Sequence, residues 1–179
     1  MEQNIEKVLI TQEQIAAKVK ELAAEMDAFY QDKEVLLICI LKGSVTFFSD
    51  LTRVVSFPVM YDFMCVSSYG NSTVSGGSVR ILKDVSVDIA GKHVLVVEDI
   101  LDTGNTLTAL FAQLEARNPA SLKLCCFLDK PDRRTKPIEA DFTGFQIPDE
   151  FVVGYGLDYD EQYRQLPYVG VLKRSVYEK

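Results

Sequence analysis

Three carboxylates fall within five residues at Glu98, Asp99 and Asp102, and Thr103-Gly104-Asn105-Thr106 follows at once. Carboxylates this close repel one another unless a cation or hydrogen-bond donors share their charge. The adjacent pair suits a diol or a divalent cation, and Asp102, set apart from it, suits a proton. The small residues that follow can aim backbone N–H groups and hydroxyls at an anion. Gly104 lets a phosphate come close to the main chain. A phosphate cradle, a diol or metal pair and a separate acid–base group on one stretch suit a sugar phosphate. Helix capping alone also places Asp, Thr and Gly at such junctions, but it leaves the clustered charge unexplained. Leu41-Lys42-Gly43-Ser44 brings an ammonium and backbone N–H groups together in the same way. Standing alone, it would leave a solvated lysine on a turn as the lesser alternative.

Both loops need a strand before them and a helix after. Residues 94–97 are wholly apolar, as in a strand buried on both faces, and Leu107, Leu110, Phe111 and Leu114 then keep helical spacing. Residues 35–40 form a second apolar run, and Val45, Phe48 and Leu51 a second helical pattern. In open α/β sheets ligands bind beyond the carboxyl ends of the strands, where these loops lie. Thr11 and Gln14 have capping-box spacing ahead of a stripe of Ile15, Val19, Leu22, Met26 and Phe29. Residues 58–66, 79–82, 122–128 and 168–172 read as further strands. Residues 129–136 read as a charged, mostly solvated turn and residues 173–179 as a polar tail. The expected fold is α/β, with a central, mostly parallel sheet of about five strands and helices on both faces.

The 179 residues fit one domain with a sizeable core. A hydrophobic fraction of 47% and a charged fraction of 25% are ordinary for a globular protein. No run is long enough to span a bilayer, and the acidic start lacks the apolar segment of a secretory signal. Cys39, Cys65, Cys125 and Cys126 lie mostly in apolar runs without metal-ligand spacing, so reduced thiols and a cytoplasmic location are expected. The net charge of −7 argues against a general nucleic-acid binder. It also requires local cations, or a bound metal, to outweigh the global sign if the ligand is an anion.

The run Val96-Val-Glu-Asp-Ile-Leu-Asp-Thr-Gly-Asn-Thr106 resembles the phosphoribosyl pyrophosphate (PRPP) motif of the type I phosphoribosyltransferases, most closely the hypoxanthine-guanine branch. The likeness extends from about residue 33 to residue 171, with four motifs in family order. It implies a single domain over residues 1–179, with a small hood built from the N- and C-terminal segments and a mobile lid hairpin at about 67–80. It also implies that Glu98 and Asp99 hold the ribose diol and a Mg²⁺ ion, and that Asp102 is the general base. Thr103, Gly104, Asn105 and Thr106 would bind the 5-phosphate. Asn105 stands where many relatives carry Lys or Arg, which leaves that contact to the backbone.

Leu41-Lys42-Gly43-Ser44 resembles the family's pyrophosphate loop, so Lys42 and Gly43 would grip pyrophosphate across a Leu41–Lys42 peptide that is cis or poised to become so. Arg164 would grip it from the other side. Ser68 and Tyr69 match the pair that opens the lid. Lys130 would donate to the purine 6-oxygen and so disfavour a 6-amino group. Phe151 would stack on the base, the Val152 backbone would meet its edge, and Asp158 would reach a second metal through water. The implied partners are PRPP, hypoxanthine or guanine, and pyrophosphate, in a homodimer or homotetramer with no nucleic acid and no membrane. Three rivals make different demands. A same-fold enzyme for xanthine or a pyrimidine would differ in its base pocket. A PRPP-sensing regulator would need a basic surface, and a phospho-receiver domain would not need Leu-Lys-Gly-Ser or the long loop.

Overall fold

Strand β5 (His93–Leu101) is the middle of the molecule, with Val94, Leu95, Val96 and Val97 wholly buried. The computed structural model describes residues 1–68 and 79–178. On one side of β5 runs β2 (Val35–Leu41) and on the other β6 (Ser121–Asp129), both parallel to it. Outward from these lie β3 (Val59–Ser68) and β7 (Phe142–Gln146), also parallel. β4 (Val79–Lys83) closes one edge antiparallel to β3, giving the order β4-β3-β2-β5-β6-β7. The sheet is therefore six-stranded rather than five-stranded, with β4 as the one antiparallel member.

Alternation along the strands sorts two cores, because successive side chains point to opposite faces. Leu37, Cys39, Leu95, Val97, Cys125 and Phe127 pack under α1 (Gln12–Tyr30) and α2 (Val45–Thr52). Leu36, Ile38, Val94, Val96, Leu124 and Cys126 pack under α3 (Asn105–Glu115) on the other face. Strands β1 (Ile5–Ile10), β8 (Val152–Val153) and β9 (Val169–Leu172) form a separate three-stranded antiparallel sheet in the order β1-β9-β8. Its own small core includes Val153, Tyr163, Leu166 and Leu172.

Several boundaries depart from the sequence reading. β5 does not stop at Val97, because Glu98, Ile100 and Leu101 keep pairing with Cys126, Leu128 and Asp129 of β6. The acid pair thus sits on the strand and not in the loop after it. The stripe of α1 ends on Tyr30, which is buried against Phe57 at 5.0 Å, while Phe29 is 46% exposed. β7 went unseen because it is short and carries Gly144, where a Cβ would collide with the Phe127 carbonyl of the neighbouring strand. The C-terminal tail contains a short helix, α4 (Arg174–Tyr177). The glycine-rich loop with Tyr69, expected as a lid, lies outside the described residues, as does the side chain of Ser68.

The capping box on α1 is formed: Gln14 N–H donates to Thr11 Oγ1 at 3.3 Å, and Thr11 N–H donates to Gln14 Oε1 at 2.8 Å. Thr11→Ala should lower stability by about 1 kcal/mol. Urea unfolding should show this as a lower midpoint with an unchanged slope. An unmoved midpoint would show that the cap contributes nothing to α1.

Candidate active site

The carboxyl ends of β2, β5 and β6 meet the turn after β8, and this is where the sequence placed its chemistry. Glu98 and Asp99 adjoin on β5, and Glu98 Oε1 accepts the Asp99 N–H at 3.1 Å. Burial raises the Glu98 carboxyl well above the ordinary carboxylate range, and the neighbouring Asp99 charge raises it further. Burial raises Asp99 too, opposed by its hydrogen bond with Glu98 and by the Arg164 charge. A cation or diol donors beside the pair would act against this upward shift, because they favour the ionised form.

Beside them runs the loop that leaves β2. Its Leu41–Lys42 peptide is cis. A Cβ at Gly43 would collide with the Asp99 carboxylate, and one at Gly156 (φ +103°) would collide with the Gly43 carbonyl. Glycine at both positions is what allows the two loops and the acid pair to touch. Lys42 Nζ lies 3.0 Å from Glu161 Oε2. Arg164 donates to the Gly156 carbonyl at 2.8 Å and pairs with Asp158 at 2.8 Å and with Glu161 at 3.4 Å. Lys42, Gly43, Asp158 and Arg164 are therefore parts of one cluster.

The loop after β5 is held from the side of β6. Gly104 takes φ +81° at the N-cap of α3, so the first N–H groups of that helix face outward unpaired by its own carbonyls. Thr135 N–H donates to the Thr103 carbonyl at 3.0 Å, and Thr135 Oγ1 lies 3.4 Å from Asn105 Oδ1. Arg134 donates to the Asp102 carbonyl at 2.5 Å and pairs with Asp129. Arg133 Nε lies 2.6 Å from Asp102 Oδ1, with Nη1 3.2 Å from Asp149. The 129–136 segment is mostly exposed, as its composition suggests, yet Arg133, Arg134 and Thr135 fasten the loop that carries Asp102. Long-range partners decide this, and no local pattern announces them.

Lys130 is only 7% exposed; its ammonium donates to the Glu150 carbonyl at 2.7 Å and lies 3.6 Å from Asp149. Phe151 follows directly, 38% exposed, while Val152 is buried in β8. Phe151 stacks on Tyr177 at 4.7 Å with 22° between the rings, and Tyr159 meets its edge at 5.7 Å. Tyr177, in the segment read as a tail, is thus part of the aromatic platform. Glu161 is another residue the motifs did not reveal.

The match to known proteins settles the family. Residues 8–160 match the phosphoribosyl transferase domain. The chain belongs to the phosphoribosyl transferase family. It is 52% identical over 178 residues to the hypoxanthine-guanine phosphoribosyltransferase of Bacillus subtilis (strain 168), covering 99% of each chain. It is 48% identical over 179 residues to the hypoxanthine-guanine phosphoribosyltransferase of Streptococcus thermophilus (strain CNRZ 1066), covering 100% of this chain and 99% of that one. A crystal structure of a hypoxanthine phosphoribosyltransferase from Staphylococcus aureus superposes with a TM-score of 0.96 at 48% identity, covering 100% of this chain and 97% of that one. No helix among the described residues is long and apolar enough to cross a membrane.

Among the described residues no group of three or more His, Cys, Asp or Glu is arranged to hold a metal by itself. The phosphoribosyl transferase site still suits Mg²⁺, which is commonly held by one or two carboxylates together with substrate oxygens. Glu98 and Asp99, adjacent on β5 beside the Gly43 loop, are such a pair.

The upward shift of their pKa values carries a stability cost with a definite sign. Above the ordinary carboxylate range the unfolded chain has lost these protons while the folded one retains them, so stability falls as pH rises. Glu98→Gln should therefore raise the unfolding temperature of the ligand-free protein, a gain of roughly 0.5–2 kcal/mol. The gain should be greater at about pH 8 than at about pH 5. Calorimetry at the two pH values checks this, and an equal or smaller gain at the higher pH would refute it.

Proposed function

We propose that this enzyme transfers the 5-phosphoribosyl group from PRPP to hypoxanthine or guanine, giving IMP or GMP and releasing pyrophosphate. The observation that carries this reading is the linkage of the four motif segments by direct contact. Gly43 abuts Asp99 and Gly156. Arg133 joins Asp102 to Asp149, and Lys130 joins Asp149 to the backbone beside Phe151. One ligand can therefore meet acids at its sugar, cations at its leaving group and a ring at its base.

Backbone N–H groups at the start of α3, with Thr103 and Thr106, would receive the 5-phosphate, where the helix dipole favours an anion. Glu98 and Asp99 would accept the ribose hydroxyls. Lys42, the Gly43 backbone and Arg164 would stabilise the charge that gathers on pyrophosphate as the C1′ bond breaks. Bound Mg²⁺, held through Glu98 and Asp99 and reached through water by Asp158, would neutralise the leaving group. The purine would attack the oxocarbenium-like C1′ from the face opposite pyrophosphate. Its base would lie against Phe151, with the Val152 backbone at its edge and the Lys130 ammonium at its 6-oxygen. Lys130 has no side-chain acceptor to offer, so a 6-amino group finds no partner there. Asp102 would take the N7 proton as the new bond forms. Three of the four cysteines are buried and all are unpaired, which supports work in a reducing cytoplasm.

Asp102→Asn keeps the shape and removes the base, so kcat should fall by about 10²–10⁴ with the KM for PRPP little changed. Steady-state kinetics decide: an equal loss in binding and turnover would make Asp102 a positioning group. Conversion of radiolabelled hypoxanthine, guanine and xanthine, with and without Mg²⁺, tests the whole reading. No nucleotide from any base would end it, and preference for xanthine would reassign the base pocket.

A further inference from the structure

The turn after Asp158 is built in an uncommon way. Asp160 (φ +51°) and Glu161 (φ +59°) both take left-handed backbone, a region few residues other than glycine adopt. Asp158 Oδ2 accepts the Glu161 N–H at 2.9 Å and braces the turn. The result is that Glu161 sends its carboxylate back across the cleft. There a single oxygen, Oε2, lies 3.0 Å from Lys42 Nζ and 3.4 Å from Arg164 Nη2. These two cations come from segments more than a hundred residues apart, as the 119-residue separation of Lys42 and Glu161 records.

From this placement we infer that Glu161 is an internal stand-in for pyrophosphate: its carboxylate sits between Lys42 and Arg164, and an incoming pyrophosphoryl group displaces it. The inference rests on the reading of Lys42 and Arg164 as the pyrophosphate cations. Two cations drawn toward one point repel each other unless an anion lies between them. A carboxylate on a braced turn holds them at that point and so prepares the site before substrate arrives. Once displaced, the same carboxylate stays near a polyanion and weakens its hold. Glu161 thus acts through Lys42 and Arg164 as a positioning residue, at the expense of affinity for pyrophosphate and for the pyrophosphoryl end of PRPP.

The ion pairs are exposed, with Lys42 and Glu161 side chains 64% and 65% accessible, so solvent screens them and the effect is modest. Removing the charge with Glu161→Gln should tighten inhibition by Mg²⁺-pyrophosphate roughly twofold to fivefold, given the usual worth of exposed pairs. The KM for PRPP should fall with it, and the KM for hypoxanthine should stay put. Asp160→Asn is the charge control. It removes the same charge from the next residue, Asn tolerates left-handed backbone, and Asp160 makes no ion pair among the described residues.

The experiment measures pyrophosphate inhibition and both KM values for the wild type, Glu161→Gln, Asp160→Asn, Lys42→Gln and the Lys42→Gln/Glu161→Gln double variant. The inference expects a gain from Glu161→Gln that exceeds the gain from Asp160→Asn and shrinks when Lys42 is already neutral. If Lys42→Gln leaves pyrophosphate inhibition unchanged, the assignment of the pyrophosphate site itself is wrong. If Lys42→Gln weakens inhibition but Glu161→Gln gives no gain, the stand-in is refuted. It is refuted equally by a gain no larger than the control's, or by one that persists undiminished without the Lys42 charge. Should Glu161→Gln fold poorly, Glu161→Asn removes the same charge with a side chain better suited to the left-handed turn.

Discussion

The site depends on one close approach. The backbone of Gly43 is wedged between the Asp99 carboxylate and the turn at Gly156, with no room for a Cβ at either glycine. Three segments that are far apart in the chain therefore meet with main chain, not side chain, at the point of contact. Main chain supplies N–H donors at fixed positions, and it leaves the acids and cations around it to do the selecting. Tyr155, one residue before Gly156, donates its hydroxyl to Asp50 of α2 at 2.7 Å and packs on Phe127 at 4.9 Å. The turn is thus fastened to the helix that follows Gly43 and to the strand that leads to Lys130.

Charge balance explains how a chain of net charge −7 can present cations to an anionic ligand. Each cation of the cleft is already matched: Lys42 by Glu161, Arg164 by Asp158 and Glu161, Lys130 by Asp149, Arg133 by Asp102 and Asp149, Arg134 by Asp129. Two kinds of pairing are mixed here. Lys130 and Arg134 are largely withdrawn from solvent and tie the β6 end to its neighbours, where losing a partner would leave a buried charge. Lys42 and Arg133 are exposed, and their pairs can exchange partners at little cost.

The sheet was legible because its signal is local. Apolar runs such as 35–40 and 94–97 can be little else than buried strands, and the loop chemistry follows them directly. The capping box at Thr11 and the αL glycine at Gly104 are likewise set by neighbours within a turn. What was not legible depends on distant partners. Arg133 and Arg134 look like any charged turn until Asp102, Asp129 and Asp149 arrive beside them. Glu161 looks like one more surface acid until Lys42 lies opposite. Tyr177 sits among Lys173, Arg174 and Glu178, a context that reads as solvated, and only the folded chain brings it to Phe151. Family resemblance supplied the motif residues, but it could not supply the residues that hold them.

The two halves of the site share one apolar core, in which Ile10, Val152, Val169 and Val171 of the small sheet pack in the same cluster as Leu37, Leu95 and Phe127 of the large one. The acid pair, Lys42 and the start of α3 hang from the parallel sheet, whose central strands are fully buried, while Asp158 and Arg164 lie on the segment between β8 and β9. The base platform hangs from the three-stranded sheet, whose members come from the two ends of the chain. Polar contacts add to this apolar packing: Lys7 to Glu150 at 2.8 Å, Asn4 to Tyr163 at 2.8 Å, and Lys173 N–H to the Asn4 carbonyl at 2.9 Å. The stack of Tyr177 on Phe151 adds aromatic area where strand pairing is thin, since β8 is only two residues long.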